Sequence, residues 1–372
     1  MSLPLVTAGL PGTGGRIKLA PDHFVVEEVP LYEPSGVGEH LYLRVRREGR
    51  TTREVQRALA ETFGVRERDV GCAGQKDKLS RATQTFSLPV RSGEPSELAQ
   101  RAASATGLEI LAASRHGNKL GRGHLLGNRF EILVVDVEPD AAARARAIVA
   151  VLAERGLPNF FGEQRLGPGG RGSRRGGRRI GDAQPAPASW IARMELSAWQ
   201  SGLFNDWLRE RIRLYGHDVV LQGDLARKTG TGGMFEVSDA GVDLERCRRG
   251  EISATGPIFG SRMRWATGLP GELEREILAS AGADAAALAR ARLPGSRRAA
   301  RIFPSEFSCA EEPAGLRLRF LLDKGAYATI ALREITKSLE GSARAQSPER
   351  SGSSQITSPG NPAASGSQLT DA

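Results

Sequence analysis

Along residues 40–47, HLYLRVRR, apolar Leu41, Leu43 and Val45 alternate with Tyr42, Arg44 and Arg46, a period of two that predicts a half-buried strand. The period then changes. Val55, Ala58 and Leu59 recur at helical spacing, Thr51 and Glu54 stand at the spacing of a capping box, and Gly64 is placed to end the turn in the left-handed region, so a helix is expected here. DVGCAG (69–74) reads as a short buried strand and RATQTFSLPV (81–90) as another, with a polar turn between them. A further strand is expected over RFEILVVDVE (129–138), followed by an alanine-rich helix from about Asp140 to Arg155, closed by Gly156.

After residue 167 the pattern breaks. PGGRGSRRGGRRIGDAQPAPAS (168–189) reads as a hinge or a mobile basic loop, too rich in Gly, Pro and Arg to pack a core. From Ser197 helical spacing returns, with Trp199, Leu203, Trp207 and Leu208 on one face, and glycine-broken short segments run on to about Leu293. LRLRFLLD (316–323) alternates Leu316, Leu318 and Phe320 against Arg317 and Arg319 as a last strand. From Gly341 the chain is Ser, Gly, Pro, Gln and Ala with hardly a large apolar side chain, and disorder is expected. Short strands joined by tight turns and separated by single helices favour an α+β fold with a largely antiparallel sheet.

Composition adds a partner class. The chain has 372 residues, 40% of them hydrophobic, which is enough core for two domains. Lys+Arg number 52 against 43 Asp+Glu, for a net charge of +9, and only seven of the cations are lysine. Planar, permanently charged guanidinium groups suit phosphate contacts and stacking on bases, so a polyanion is the first partner to consider. A GC-rich coding sequence yields the same surplus, so charge alone leaves the partner open. Cys72, Cys247 and Cys309 stand far apart without a C-x-x-C pair, which points away from a disulfide framework and from a zinc site. The N-terminus lacks a basic leader with an apolar run, and no stretch approaches the ~20 apolar residues of a membrane span. A reduced, soluble, cytoplasmic protein is the expectation.

Candidate chemistry is sparse until the motifs are taken together. GLPGTGG (9–15) has no lysine at the phosphate-loop offset, and TGTGG (229–233) fails in the same way, so both read as loops. His23, His40, His116, His124 and His217 show no metal-ligand spacing. Arg171, Arg174, Arg175, Arg178 and Arg179 form either a solvated charge run or a phosphate contact. In GCAGQKDKLS (71–80), Asp77 lies between Lys76 and Lys78. It is either a surface turn or a carboxylate that flanking cations keep ionised, at the end of small, apolar, buried backbone.

In order along the chain stand PDHFVVEE (21–28), AGQKDK (73–78) with Gln84 after it, SRHGNKLGRGHLLGNRF (114–130), NFFGEQRLG (159–167), ISATGPIFG (252–260) and GAYATIALRE (325–334). Together they resemble the TruD family of tRNA pseudouridine synthases over residues 12 to about 337. The resemblance implies a pseudouridine synthase catalytic domain with a curved, largely antiparallel sheet and flanking helices, interrupted by an inserted α/β domain. The expected division is 1–158, catalytic; 159–303, inserted; 304–340, catalytic again; and 341–372, tail. It implies isomerisation of a tRNA uridine, at position 13 of the D arm, by base flipping and without a cofactor or metal. Asp77 matches the family's essential aspartate, acting as nucleophile or base. Lys18 and Lys76 are its expected ionic support, with Lys18 preferred over the flanking lysines. Phe24, Gln84, Asn128, Asn159, Phe161, Gln164, Arg165 and Tyr327 are the expected substrate contacts. The implied partner is tRNA, with no membrane and no protein partner, and a monomer is expected. Ala82 and Leu166 depart from the family's usual threonine and phenylalanine, and Tyr327 stands where phenylalanine is common. A non-catalytic basic RNA-binding scaffold would share the charge and the rings but would not need Asp77, and a nucleotide-dependent enzyme would need ATP or NAD.

Overall fold

A computed structural model describes residues 3–17, 20–182, 184 and 189–338, so Lys18 and the tail from Gly341 lie outside the described residues. The first part of the chain alternates strands and helices. β1 (Gly14–Arg16), β2 (Phe24–Pro30) and β3 (His40–Arg47) precede α1 (Thr52–Phe63). The capping box closes as the spacing predicts. Glu54 N donates to Thr51 Oγ1 at 3.2 Å, Thr51 N donates to Glu54 Oε2 at 2.5 Å, and Gly64 ends the helix at φ 65°. Then come β4 (Gly71–Cys72), β5 (Arg81–Leu88), α2 (Pro95–Thr106), β6 (Glu109–His116), β7 (Leu125–Val137) and α3 (Ala141–Arg155).

The middle of the chain is more regular than its composition suggests. After β8 (Leu157–Pro158) come α4 (Glu163–Leu166), α5 (Arg171–Gly181) and α6 (Trp190–Leu214). Residues 171–181 of the segment expected to be a hinge or mobile loop are therefore helix. Its glycines explain the difference, because a Cβ on Gly176 would lie 2.2 Å from the Glu195 carbonyl oxygen of α6 and 2.7 Å from Trp199 Cβ. Only glycine lets the two backbones approach that closely. A glycine costs a helix about 0.5–1 kcal/mol relative to alanine, so α5 owes its helical state to the contact with α6 rather than to propensity. Trp199, Leu203, Trp207 and Leu208 are buried along α6, as their spacing predicts.

The glycine-broken stretch also folds. β9 (Leu225–Lys228), β10 (Met234–Glu236), α7 (Ala240–Arg248), β11 (Ile252–Ile258), α8 (Gly268–Ser280), α9 (Ala285–Arg290) and β12 (Ser296–Ala299) contribute a four-stranded antiparallel sheet in the order β10-β9-β11-β12. TGTGG is the loop of the β9–β10 hairpin. β13 (Arg301–Ile302) then pairs with β8, Arg301 opposite Pro158 and Ile302 opposite Leu157, so this sheet's entry and exit strands are stitched together. β14 (Ser305–Glu312), β15 (Gly315–Asp323) and α10 (Ala328–Thr336) complete the described chain.

β14 and β15 rejoin the strands of the first part. The main path runs β14-β15-β7-β2-β5-β3-β6, with β1 paired to β7 and β4 to β5, nine strands in all. Every pairing is antiparallel except that of β2 with β5. The expected α+β architecture, with a largely antiparallel sheet and an inserted α/β portion, is the one observed.

One face of this sheet carries two separate apolar clusters. Phe24, Val26, Ala82, Phe130, Leu318 and Phe320 pack with side chains of α3 and α10. Leu41, Leu43, Val45, Phe86 and Leu88 pack with Val55 and Leu59 of α1 and Ala102 of α2. Ala82, Gln84 and Phe86 project to the same face of β5, because side chains alternate along a strand. Gln84 therefore stands at the seam between the two clusters.

Candidate active site

The seam is polar across three strands. Asn128 of β7 lies opposite Glu28 of β2 and Leu322 of β15, and Gln84 of β5 lies opposite Val45 of β3. Gln84 Nε2 closes the row by donating to Glu28 Oε1 at 3.3 Å. Polar side chains inside a sheet must find partners or lose about 1–3 kcal/mol each, and Gln84, at 0% exposure, finds several. Its Nε2 also donates to the Gly74 carbonyl at 3.1 Å. Its Oε1 accepts from Arg47 Nε at 3.2 Å and from Thr52 Oγ1 at 3.0 Å. Gln84, expected at the substrate, spends its amide under the loop that carries Asp77.

That loop leaves the buried backbone of Cys72 and Ala73 and re-enters the sheet through buried Ser80, while Asp77, Lys78 and Leu79 between them are exposed. The bonds that pin it run mostly inward. Lys76 N donates to Thr52 Oγ1 at 3.0 Å, and the Asp77 carbonyl accepts from Ser80 Oγ at 2.8 Å and Arg47 Nη1 at 3.2 Å. Lys76 Nζ lies 2.6 Å from Glu28 Oε1, with the two side chains only 8% and 5% exposed. Lys76 was expected to support Asp77 directly. Its ammonium instead neutralises Glu28, because a buried carboxylate at the seam demands a cation more strongly than an exposed one does. Arg47, 2% exposed, is the further cation of the frame. Burial pushes its guanidinium down, and the charges of Asp77 and then Glu28 pull it back up.

Asn128 is placed differently from Gln84. Half-buried, it has a side-chain Oδ1 that is buried without a hydrogen-bond partner among the described residues. The glycine before it has a steric reason, since a Cβ on Gly127 would come within 2.3 Å of the Leu322 carbonyl oxygen on β15. Phe24 is committed to the core. At 5% exposure it packs edge-to-face with Phe130, ring centres 6.0 Å apart.

The remaining expected residues gather where β15 turns into α10. Tyr327 caps α10, half-buried, its ring centre 5.9 Å from that of Phe161. Burial raises the Tyr327 hydroxyl's pKa, with Arg165 and Arg298 opposing. The Phe161 backbone is gripped on both sides by one amide: Phe161 N donates to Asn205 Oδ1 at 2.8 Å, and Asn205 Nδ2 donates to Phe161 O at 3.0 Å. Arg298 of β12 lies 4.0 Å from the Phe161 ring centre and 6.0 Å from that of Tyr327. It donates through Nε to Asn159 O at 2.9 Å, and through Nη2 to Asn159 Oδ1 at 2.5 Å and Gly325 O at 2.9 Å. Burial lowers its pKa to about 10, so it stays a cation at neutral pH, held by carbonyls and ring faces. Asn159, expected at the substrate, is buried and spends its amide on Arg298 and on the Ala299 carbonyl, which accepts from Nδ2 at 3.0 Å. Gln164 is exposed, and Arg165 leans on α6 through Ser201 Oγ at 3.3 Å and Ser197 Oγ at 2.5 Å.

The family model described as tRNA pseudouridine synthase D (TruD) matches residues 2–180 and 182–335. The chain belongs to the TruD family. It is 46% identical over 346 residues to tRNA pseudouridine synthase D of Anaeromyxobacter dehalogenans, covering 90% of this chain and 96% of that relative. The identity to the Thermus thermophilus tRNA pseudouridine synthase D is 44% over 334 residues, covering 90% of this chain and 92% of the relative. A solved structure from Methanosarcina mazei, provisionally described as a TruD protein, superposes with a TM-score of 0.71. At 22% identity it covers 91% of this chain and 97% of its own, and it speaks for the fold alone.

Three residues of the candidate site were not among those expected: Glu28, Arg47 and Arg298. Two of them carried a signal. Phe24, Val26 and Glu28 share one phase of β2, and Leu43, Val45 and Arg47 share one phase of β3, so each strand ends by pointing a charge inward. Arg298 carried none, because its partners come from residues 159–161 and 325–327. Replacing Arg298 by lysine keeps the charge but loses the planar fork and the stacking. Displacement of Phe161 and Tyr327 is expected to lower turnover about 10²-fold, while Arg298→Met falls further. Equal kcat and KM in the wild type and in Arg298→Lys, measured under steady state, would remove Arg298 as a positioning residue.

Proposed function

We propose that this chain isomerises the uridine at position 13 of the tRNA D arm to pseudouridine, with Asp77 as the reacting carboxylate and without a cofactor. Membership of the TruD family makes it a tRNA pseudouridine synthase, an isomerase. The observation that carries the finer reading is an exposed Asp77 whose loop is fixed from beneath by Arg47, Thr52, Glu28 and Gln84. Chemistry done by one side chain needs such a fixed base.

The reaction breaks the C1'–N1 bond, turns the uracil while it stays bound, and joins C5 to C1'. C5 loses a proton and N1 gains one, so no electrons enter or leave. Attack on the sugar, attack on the base and removal of a sugar proton all call for an ionised carboxylate. Lys18, preferred over the flanking lysines, supplies the ionic partner. Flipping the uridine costs a few kcal/mol, and a ring face returns about 1–3 kcal/mol per stacked base. Tyr327, half-buried beside Phe161, is the ring assigned to that contact. Asn128, whose Oδ1 has no hydrogen-bond partner among the described residues, is assigned to the N3–H edge of the uracil, where an acceptor is required. No helix among the described residues is long and apolar enough to cross a membrane; a cytoplasmic monomer acting on tRNA without a protein partner completes the reading.

The test is incubation of purified protein with a tRNA transcript in buffer free of nucleotides and reductants, followed by chemical mapping of pseudouridine. Conversion at position 13 is expected. Conversion elsewhere would overturn the position, and dependence on ATP or NAD the mechanism.

A further inference from the structure

Many arginines of the described chain have carboxylates for company. Arg213 pairs with Glu210 at 2.8 Å, Arg248 with Glu245 at 3.5 Å and Arg249 with Glu251 at 2.8 Å. α5 breaks that habit. RGSRRGGRRIG holds five arginines and no acid in 11 residues. Arg175 and Arg179 turn toward Glu195 of α6, at 3.6 and 2.8 Å, and Arg179 also donates to Gln184 Oε1 at 2.7 Å. Arg171, Arg174 and Arg178 stand on the outer face at i, i+3 and i+7, where Arg171, Arg174 and Arg178 are exposed and have no ion pair among the described residues.

This arrangement works against the helix. Like charges three and four residues apart repel, and Arg171 and Arg174 sit in the first turn, where the helix dipole disfavours cations. The glycines that let α5 lie on α6 add to the cost. A polyanion on the outer face would remove the repulsion and meet a row of guanidinium forks spanning about 10 Å along the axis. A nucleic-acid strand carries a charge every few Å, and guanidinium matches phosphate oxygens in bidentate geometry.

We propose that Arg171, Arg174 and Arg178 form a phosphate-binding stripe that grips the sugar-phosphate backbone of the RNA substrate, a proposal that rests on the reading of the chain as a tRNA enzyme. The contribution is independent of base sequence, and it raises affinity through counterion release.

The salt dependence of binding tests it. An in vitro transcribed tRNA is titrated with the protein over a range of KCl concentrations, and log Kobs is plotted against log salt. Replacing all three by glutamine (R171Q, R174Q, R178Q) should make the slope shallower by about 2–3 and weaken binding about ten-fold or more near ~100 mM salt. The three lysine replacements keep the charge and should keep the slope, so a folding defect in the glutamine variant does not hide the result. A charge-matched control (R213Q, R248Q, R249Q) should leave the slope within about 0.5. A slope unchanged in the α5 variant, as expected if an acidic protein is the true partner, overturns the proposal. Equal loss in both glutamine triples, a mere net-charge effect, overturns it too. If the unaltered chain makes no pseudouridine in any tRNA, the functional reading fails instead, while the stripe is still judged by the slopes.

Discussion

Asp77→Asn is expected to abolish pseudouridine formation, a loss of at least about 10⁴-fold, while tRNA affinity stays within a few-fold. Asparagine copies the shape of aspartate but supplies neither its charge nor its basicity. The loop should survive the change, because Ser80, Arg47, Thr52 and Glu28 hold it through groups other than that side chain. Ser80 Oγ and Arg47 Nη1 hold the residue by its carbonyl, and Lys76 is tied by its backbone to Thr52 and by its ammonium to Glu28. Single-turnover assays with excess enzyme, run beside a binding titration, separate chemistry from docking. Retained conversion would sink the assignment of Asp77. A parallel collapse of affinity would mean that the carboxylate organises the binding surface rather than the reaction.

Periodicity carried most of the sheet into view, because a strand with one buried face must alternate. The β3 and β15 strands, the α1 capping box and the helix ended by Gly156 were legible for that reason. α5 was not. Its composition argues for a loop in isolation, and the packing of Gly176 on the Glu195 carbonyl is a tertiary fact with no local trace. The site divides in the same way. Order of motifs singled out Asp77 and Asn128, but it treated neighbours within a motif as equals. Burial then separated them: Gln84 and Asn159 hold other residues, while Asn128 keeps an acceptor unspent among the described residues. A strand phase that ends on a charge, as at Glu28 and Arg47, is a sequence-level sign of a polar seam that alternation alone would have let through. Arg298 needed the fold, since it joins residues 159 and 161 to residues 325 and 327.

Breaking the buried pair of Glu28 and Lys76 should have the largest effect on stability. Either Glu28→Gln or Lys76→Met leaves one charge inside the protein without its counterpart, a loss of about 3–5 kcal/mol in chemical denaturation. The two are not equivalent. In Lys76→Met the Glu28 carboxylate keeps a bond from Gln84 Nε2 at 3.3 Å and a longer one from Thr85 N at 3.4 Å. In Glu28→Gln the ammonium keeps only a neutral acceptor, so this variant should be the less stable. The double variant should recover part of the loss, with a coupling of about 1–3 kcal/mol, because no unpaired charge remains. Activity should not recover with it. The tether from the loop to β2 is gone in the double variant, and a displacement of Asp77 by ~1 Å is enough to cost about 10²-fold in turnover. Stability restored without activity is therefore the signature expected of a pair that positions the catalytic loop. Purely additive stability effects would show that the pair is not closed in solution, and activity rising together with stability would show that the loop holds Asp77 in place without it.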